Sequence, residues 1–208
     1  MRPPPQDIQY LTRVHLLWSR PYNQTMSATT PQPARAVVLT ISDSRTRGER
    51  QDLSGPAVAA SLQAAGFIVE GPHLVPDEQP QIEAMLREAA LRSHAANATL
   101  VVTTGGTGIA PRDVTPEATR AVCTRILDGF AERMRAAGAR RTPLAALSRA
   151  VSGTCGHALI VNLPGSPEGA VTSLEAVIDL IPHALQLLSG ANAHMEAPGA
   201  AGSGVPRT

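Results

Sequence analysis

The sequence predicts an α/β fold: a mostly parallel sheet with helices on both faces. Three observations carry this. From residue 35 onward, short apolar runs alternate with amphipathic helical patterns. The first of these runs, AVVLTIS, reads as a buried strand. Strand–helix–strand order implies right-handed crossovers, which lay helices over the sheet. Residues 36–42 (AVVLTIS) read as the first strand and 56–65 as the first helix. Residues 67–75 form the second strand, and Ile82, Met85, Leu86, Ala89 and Ala90 mark one face of the helix after it. The third strand is 99–104 (TLVVTT), followed by helices over 115–123 and about 129–138. Residues 150–154 and 158–163 read as strands, the former a candidate antiparallel member. Val171, Leu174, Ile178, Ile181, Leu185 and Leu188 trace a last helix, which Pro182 should kink by removing a backbone donor.

Composition narrows the function classes. The chain has 208 residues and a net charge of +1, too little positive charge for a nucleic-acid scaffold or a polybasic membrane binder. No run approaches the ~18 to 20 apolar residues of a membrane helix. All 18 basic residues are arginine, which excludes a phosphate-loop lysine, a Schiff base and a Ser–Lys dyad. Two cysteines, Cys123 and Cys155, are too few for a disulfide framework and point to a reducing compartment. Residues 1–33 contain six prolines and no structural period, and read as a disordered or mis-assigned leader with Met26 as an alternative start. Residues 191–208, rich in Ala, Gly, Pro and Ser, read as a disordered tail. The folded domain is expected over 34–190.

In such sheets ligands sit beyond the carboxyl ends of the strands. The loop after the first strand, residues 43–52, has no apolar residue and is longer than the ~2 to 6 residues usual there. It is either a solvated surface loop or an anion or metal site. After the second strand, Asp77 either caps the next helix or serves a ligand. After the third, Gly105-Gly106-Thr107-Gly108 is either a tight turn or a cradle where a phosphate or pterin approaches the main chain. It lacks the G-x-G-x-x-G spacing, so a dinucleotide fingerprint is unsupported. Thr115 is placed to cap a helix with Pro116 at its first position, leaving Asp113 free for a metal or substrate. Arg112 either offsets phosphate charge or forms a surface ion pair. Pro164-Gly165-Ser166 repeats the glycine-turn and cap device, offering amide donors to an anion. Together these loops suggest phosphoryl-type chemistry on Mg²⁺.

The motifs TISDSRTRGERQDLSGP, LVPDE, TTGGTGIAPRDVTPEA, PLAALSRAVSG and LIVNLPGSPEG, in this order, resemble the MoaB/MogA family of molybdenum-cofactor biosynthesis proteins. The resemblance spans roughly residues 35–190. It implies a three-layer α/β/α molybdopterin-binding fold and a homotrimer or hexamer in the cytoplasm. It also implies Mg²⁺-dependent transfer of AMP from ATP to the terminal phosphate of molybdopterin, and a molybdate-inserting enzyme as a partner. Carried over by position, Asp77 and Asp113 would be the catalytic, Mg²⁺-holding pair. Ser42, Asp43, Ser44, Asp52, Ser54, Gly105, Gly106, Thr107, Gly108, Arg112, Ser148, Arg149, Pro164, Gly165 and Ser166 would bind substrate. The chain departs from the family at Cys155, where many members carry a basic residue. A weaker phosphate contact there would favour the alternative of a pterin-binding protein without catalysis.

Overall fold

The computed structural model describes residues 33–94 and 97–190; the expected leader up to residue 32 and the tail from 191 lie outside the described residues. β1 (Arg35–Ile41) alternates Ala36 and Val38 towards one buried face and Val37, Leu39 and Ile41 towards the other. Ser42 then caps a single turn, α1 (Asp43–Thr46), its Oγ accepting the Arg45 N–H at 3.4 Å. The chain continues through α2 (Ser54–Ala64), β2 (Ile68–Val75), α3 (Gln79–Leu91), β3 (Thr99–Thr104), α4 (Thr115–Val122) and β4 (Arg125–Ile126). Next come α5 (Asp128–Ala139), a 3₁₀ helix (Pro143–Leu147), β5 (Ser152–Cys155), β6 (Ala158–Leu163), α6 (Pro167–Glu175) and α7 (Ile181–Leu188).

The six strands form one sheet in the order β2-β1-β3-β6-β5-β4. The first four run parallel, β5 is antiparallel to β6, and β4 is antiparallel to β5. Two apolar layers result from strand alternation. On one face Val58 and Leu62 of α2, Met134 of α5, Leu174 of α6 and Ile181 of α7 cover Val38, Leu100, Val102 and Leu159. On the other, Ile82 and Leu86 of α3 and Ala118 and Val122 of α4 cover Val37, Leu39, Val101 and Ile160. With only Phe67 and Phe130 as aromatics here, aliphatic side chains fill both layers. None of the described helices is long and apolar enough to cross a membrane.

Two sequence expectations change, and one that was left open is settled. The apolar period over 171–188 is carried by two helices, and Pro182 lies in the first turn of α7, where its missing N–H removes no helical bond. Thr115 does not cap α4, because Val114 occupies the cap position. Its hydroxyl instead donates to the Gly105 carbonyl at 2.9 Å and ties the helix to the glycine turn. The antiparallel course of β5 sets Cys155 opposite Ala158, at the amino end of β6. Cys155 and His157 therefore sit at the sheet edge opposite the loops considered below. His157 Nδ1 donates to the Leu188 carbonyl at 2.6 Å, which anchors α7. Both cysteines are free, and burial pushes the Cys123 thiol up to about 12.

Candidate active site

Strand register assembles the site. Ile41 pairs with Val75, so the residues two places on, Asp43 and Asp77, leave the sheet side by side. They lock reciprocally: the Asp43 N–H donates to Asp77 Oδ2 at 2.8 Å, and the Asp77 N–H donates to Asp43 Oδ1 at 3.0 Å. Asp77 thus serves the neighbouring loop, while Glu78 takes the cap position of α3 without a side-chain bond. The other Asp43 oxygen accepts Arg112 Nε at 3.0 Å and Nη2 at 2.7 Å. The same Nη2 reaches Glu78 Oε1 at 2.9 Å.

The glycine turn after β3 meets both expected catalytic aspartates. Gly106 has φ +62°, and a Cβ there would lie 3.2 Å from Asp77 Oδ1 and 2.3 Å from Thr115 Oγ1. A Cβ on Gly108 would lie 2.8 Å from Asp113 Oδ2. That same oxygen accepts the Ala110 N–H at 2.8 Å, which holds the Asp113 carboxylate against the turn. Asp43, Asp77 and Asp113 therefore share one rim at the carboxyl ends of β1, β2 and β3.

Desolvation pushes the Asp77 carboxyl above its ordinary 3.8; the Asp43 amide opposes this, and the charges of Asp43 and Asp113 add to the rise. Desolvation acts the same way on Asp43 but is outweighed by the Arg112 guanidinium and the Asp77 amide, so Asp43 lies below its ordinary value. Removing the third charge should relax the first group. Asp113→Asn is expected to lower the titration midpoint of the Asp77 carboxyl, read by carbon-detected NMR of the side-chain carboxyl. An unmoved midpoint would mean that the two groups do not share a field.

Beside the rim lies a cavity of about 730 Å³. Thr107 and Gly108 form one wall, Pro164, Gly165 and Ser166 another, and Ser148 a third. Met134 of α5 and Leu144 and Leu147 of the 3₁₀ helix add an apolar side. The two glycine turns touch: a Cβ on Gly165 would be 3.2 Å from the Gly105 Cα. Ser166 caps α6, its Oγ accepting the Gly169 N–H at 3.3 Å. The loop 105–108 is thus common to a charged rim and an apolar cavity, which suits a ligand with a phosphate end and a flat, weakly polar body.

The other expected residues make bonds within the protein. Asp52 fastens the start of α2: its carboxylate accepts the Thr40 hydroxyl at 2.7 Å and the Ser54 and Gly55 N–H groups, both at 3.1 Å. Ser54 is buried beneath it, its hydroxyl on the same carboxylate at 3.3 Å. Ser42 and Ser44 pair through their hydroxyls at 3.2 Å within the cap of α1. Arg149 faces the loop between the glycine turn and α4, donating to the Gly108 carbonyl at 2.6 Å. Sequence reasoning missed the cavity's apolar wall and Glu117, the carboxylate that Arg149 engages. Leu144 and Leu147 of that wall lie within the PLAAL motif, and their exposure became visible only in the structure.

Among the described residues, no group of three or more His, Cys, Asp or Glu is arranged to hold a metal ion unaided.

Residues 37–183 match the family model described as a probable molybdopterin binding domain. A molybdopterin adenylyltransferase of Helicobacter pylori is 41% identical over 158 residues, covering 74% of this chain and 86% of that protein. The Escherichia coli protein of the same name is 40% identical over 173 residues, covering 75% and 86%. Among solved structures, the molybdopterin biosynthesis enzyme MoaB of Thermus thermophilus superposes with a TM-score of 0.69 at 52% identity, over 76% of this chain and 97% of that one. With fold, loop motifs and site geometry in agreement, the chain belongs to the molybdopterin-binding family of molybdenum-cofactor biosynthesis proteins.

Proposed function

We propose that this chain transfers AMP from ATP to the terminal phosphate of molybdopterin and releases pyrophosphate. The observation that carries the reading is the glycine loop shared by the carboxylate rim and the apolar cavity, which gives a phosphate-bearing pterin and a nucleotide triphosphate adjoining places. The names of the similar bacterial proteins support it.

The chemistry asks little of a general base, because the attacking phosphate oxygen is already anionic. The obstacle is repulsion: two unit charges ~4 Å apart at an effective dielectric near 20 oppose each other by about 4 kcal/mol. The side chains answer it in two ways. The pterin body rests on Met134, Leu144 and Leu147, while its phosphate approaches the main chain of the 105–108 turn. Arg112, 56% exposed and held only by Asp43 and Glu78, can exchange those carboxylates for phosphate oxygens. Mg²⁺ is the expected resident cation. The donor set fits it, because Mg²⁺ takes one or two carboxylates and completes its shell with water and substrate phosphates. Asp77 and Asp113 would hold it, and when bound it neutralises charge on the triphosphate. Catalysis is then positioning and charge neutralisation.

The alternative of a pterin binder without catalysis drew on Cys155. Among the described residues Cys155 pairs with Ala158 at the end of the sheet away from the carboxylate rim, which favours the catalytic reading. The same reading has the chain working in the cytoplasm as a homotrimer or hexamer and passing its product to a molybdate-inserting enzyme.

Incubation with α-labelled ATP, molybdopterin and Mg²⁺ is expected to place labelled AMP on the pterin, and EDTA to stop the transfer. Pterin binding without transfer of label would leave the chain a binding role only.

A further inference from the structure

Arg149 stands in the extended stretch between the 3₁₀ helix and β5, with Ser148 and Ala150 lining the cavity on either side of it while Arg149 itself does not. Successive side chains of an extended chain point to opposite sides, so the cavity-facing neighbours turn Arg149 away. What it meets is the back of the loop that carries Asp113. Its main-chain N–H donates to the Thr107 carbonyl at 2.9 Å, and its Nε donates to the Gly108 carbonyl at 2.6 Å. Nη2 donates to the carbonyl of Asp113 itself. Nη1 and Nη2 together engage the Glu117 carboxylate in the first turn of α4. One planar fork thus joins the glycine turn, the aspartate and the helix start, a geometry an ammonium group cannot reproduce.

We propose that Arg149 is a positioning residue: it fixes the segment 107–117 from behind, and so holds the Asp113 carboxylate at the rim, without touching either substrate. The proposal builds on the adenylyl-transfer reading and assigns Arg149 a place other than the substrate contact its motif implies. Asp113 is bonded locally to Ala110, its carboxylate accepting the Ala110 N–H and its own N–H donating to the Ala110 carbonyl at 2.9 Å, and Arg149 adds the bond to the Asp113 carbonyl from outside the loop. Thr115 closes the loop onto the glycine turn through its N–H to the Gly106 carbonyl at 3.1 Å and its hydroxyl to the Gly105 carbonyl, and Arg149 is the side chain that grips the Asp113 carbonyl from behind.

The test is Arg149→Lys and Glu117→Gln, each read three ways. Hydrogen exchange should show amides over 107–115 losing protection in Arg149→Lys, while those of β1 and β3 keep it. Molybdopterin affinity, followed by pterin fluorescence, should stay within about threefold of the parent, as expected when the lost interactions do not touch the ligand. The kcat for AMP transfer should fall about 100-fold, the effect of misplacing a reacting group by roughly an ångström. Glu117→Gln keeps the arginine and its carbonyl acceptors, so it should fold normally and lower kcat about tenfold, as loss of one charge-assisted bond allows. The double variant should be no slower than Arg149→Lys alone, because both changes act through one contact. Molybdopterin affinity weakened tenfold or more with kcat retained would make Arg149 a substrate ligand and overturn the proposal. Unchanged exchange over 107–115 would overturn it too, whether or not the parent enzyme is active. An inactive parent with the expected exchange result would instead count against the adenylyl-transfer reading alone.

Discussion

Asp77→Asn is expected to reduce AMP transfer about 1,000-fold, the several kcal/mol that a cation's ligand controls in phosphoryl chemistry, while leaving the fold intact. Asparagine can still accept the Asp43 N–H through its carbonyl oxygen, so the reciprocal lock between the two loops keeps its geometry. The pH dependence has a definite sign. The Asp77 carboxyl is raised in the folded state, so its stabilising effect is full below 3.8 and is lost as pH rises through the raised value. At neutral pH the ionised group is a liability that asparagine removes. Asp77→Asn should therefore melt no lower than the parent at pH 7. Asp43, held below 3.8, acts oppositely: its contribution is present above that value and is lost on acidification. Labelled-ATP assays and thermal melts over pH 4 to 8 check both parts. Transfer within tenfold of the parent would remove Asp77 from the chemistry.

Gly105→Ala should be strongly destabilising for a change of a single methyl group. Gly105 sits at φ +102°, where a side chain is strained by about 1 to 3 kcal/mol. A Cβ there would lie 2.2 Å from the Ile41 carbonyl oxygen, a backbone atom that cannot swing aside. Forcing the strands apart adds about 1 to 3 kcal/mol, so the total approaches half of an ordinary domain's stability. Gly156→Ala is the control: it also has positive φ, +55°, but nothing lies within 4 Å, so only the backbone preference is lost, about 1 kcal/mol. Urea midpoints for the two variants should differ clearly. Equal midpoints would mean the end of β3 can yield.

The strands were legible because β1, β3 and β6 are buried along nearly their whole length and so are built from aliphatic residues with only a few uncharged polar ones after Arg35. β4 leaves none: it is two residues long, held by pairing with β5 alone. The last helix reads as continuous because Ile178, in the stretch between α6 and α7, packs against the core in step with Leu174 and Ile181, so apolar spacing crosses a break in the backbone. Asp77 and Asp113 were visible as acidic residues in strand-end loops, but the Asp43–Asp77 lock was not, because it depends on Ile41 pairing with Val75. Arg149 and Glu117 are separated by 32 positions, and no local spacing links them. The place of Cys155 hinged on the direction of β5, which the residues alone left open.

Where the ends of β1, β3 and β6 converge, atoms of the peptide chain itself make the contact: the Ile41 carbonyl on Gly105, and Gly105 on Gly165. The spacing of the reaction chamber is consequently set by how three segments of polymer stack, with no intervening residue to be resized. Helices around it can drift in composition over generations, or be redesigned wholesale, without retuning the distances that matter. Distant relatives should accordingly superpose best at this pinch and worst in their outer layers.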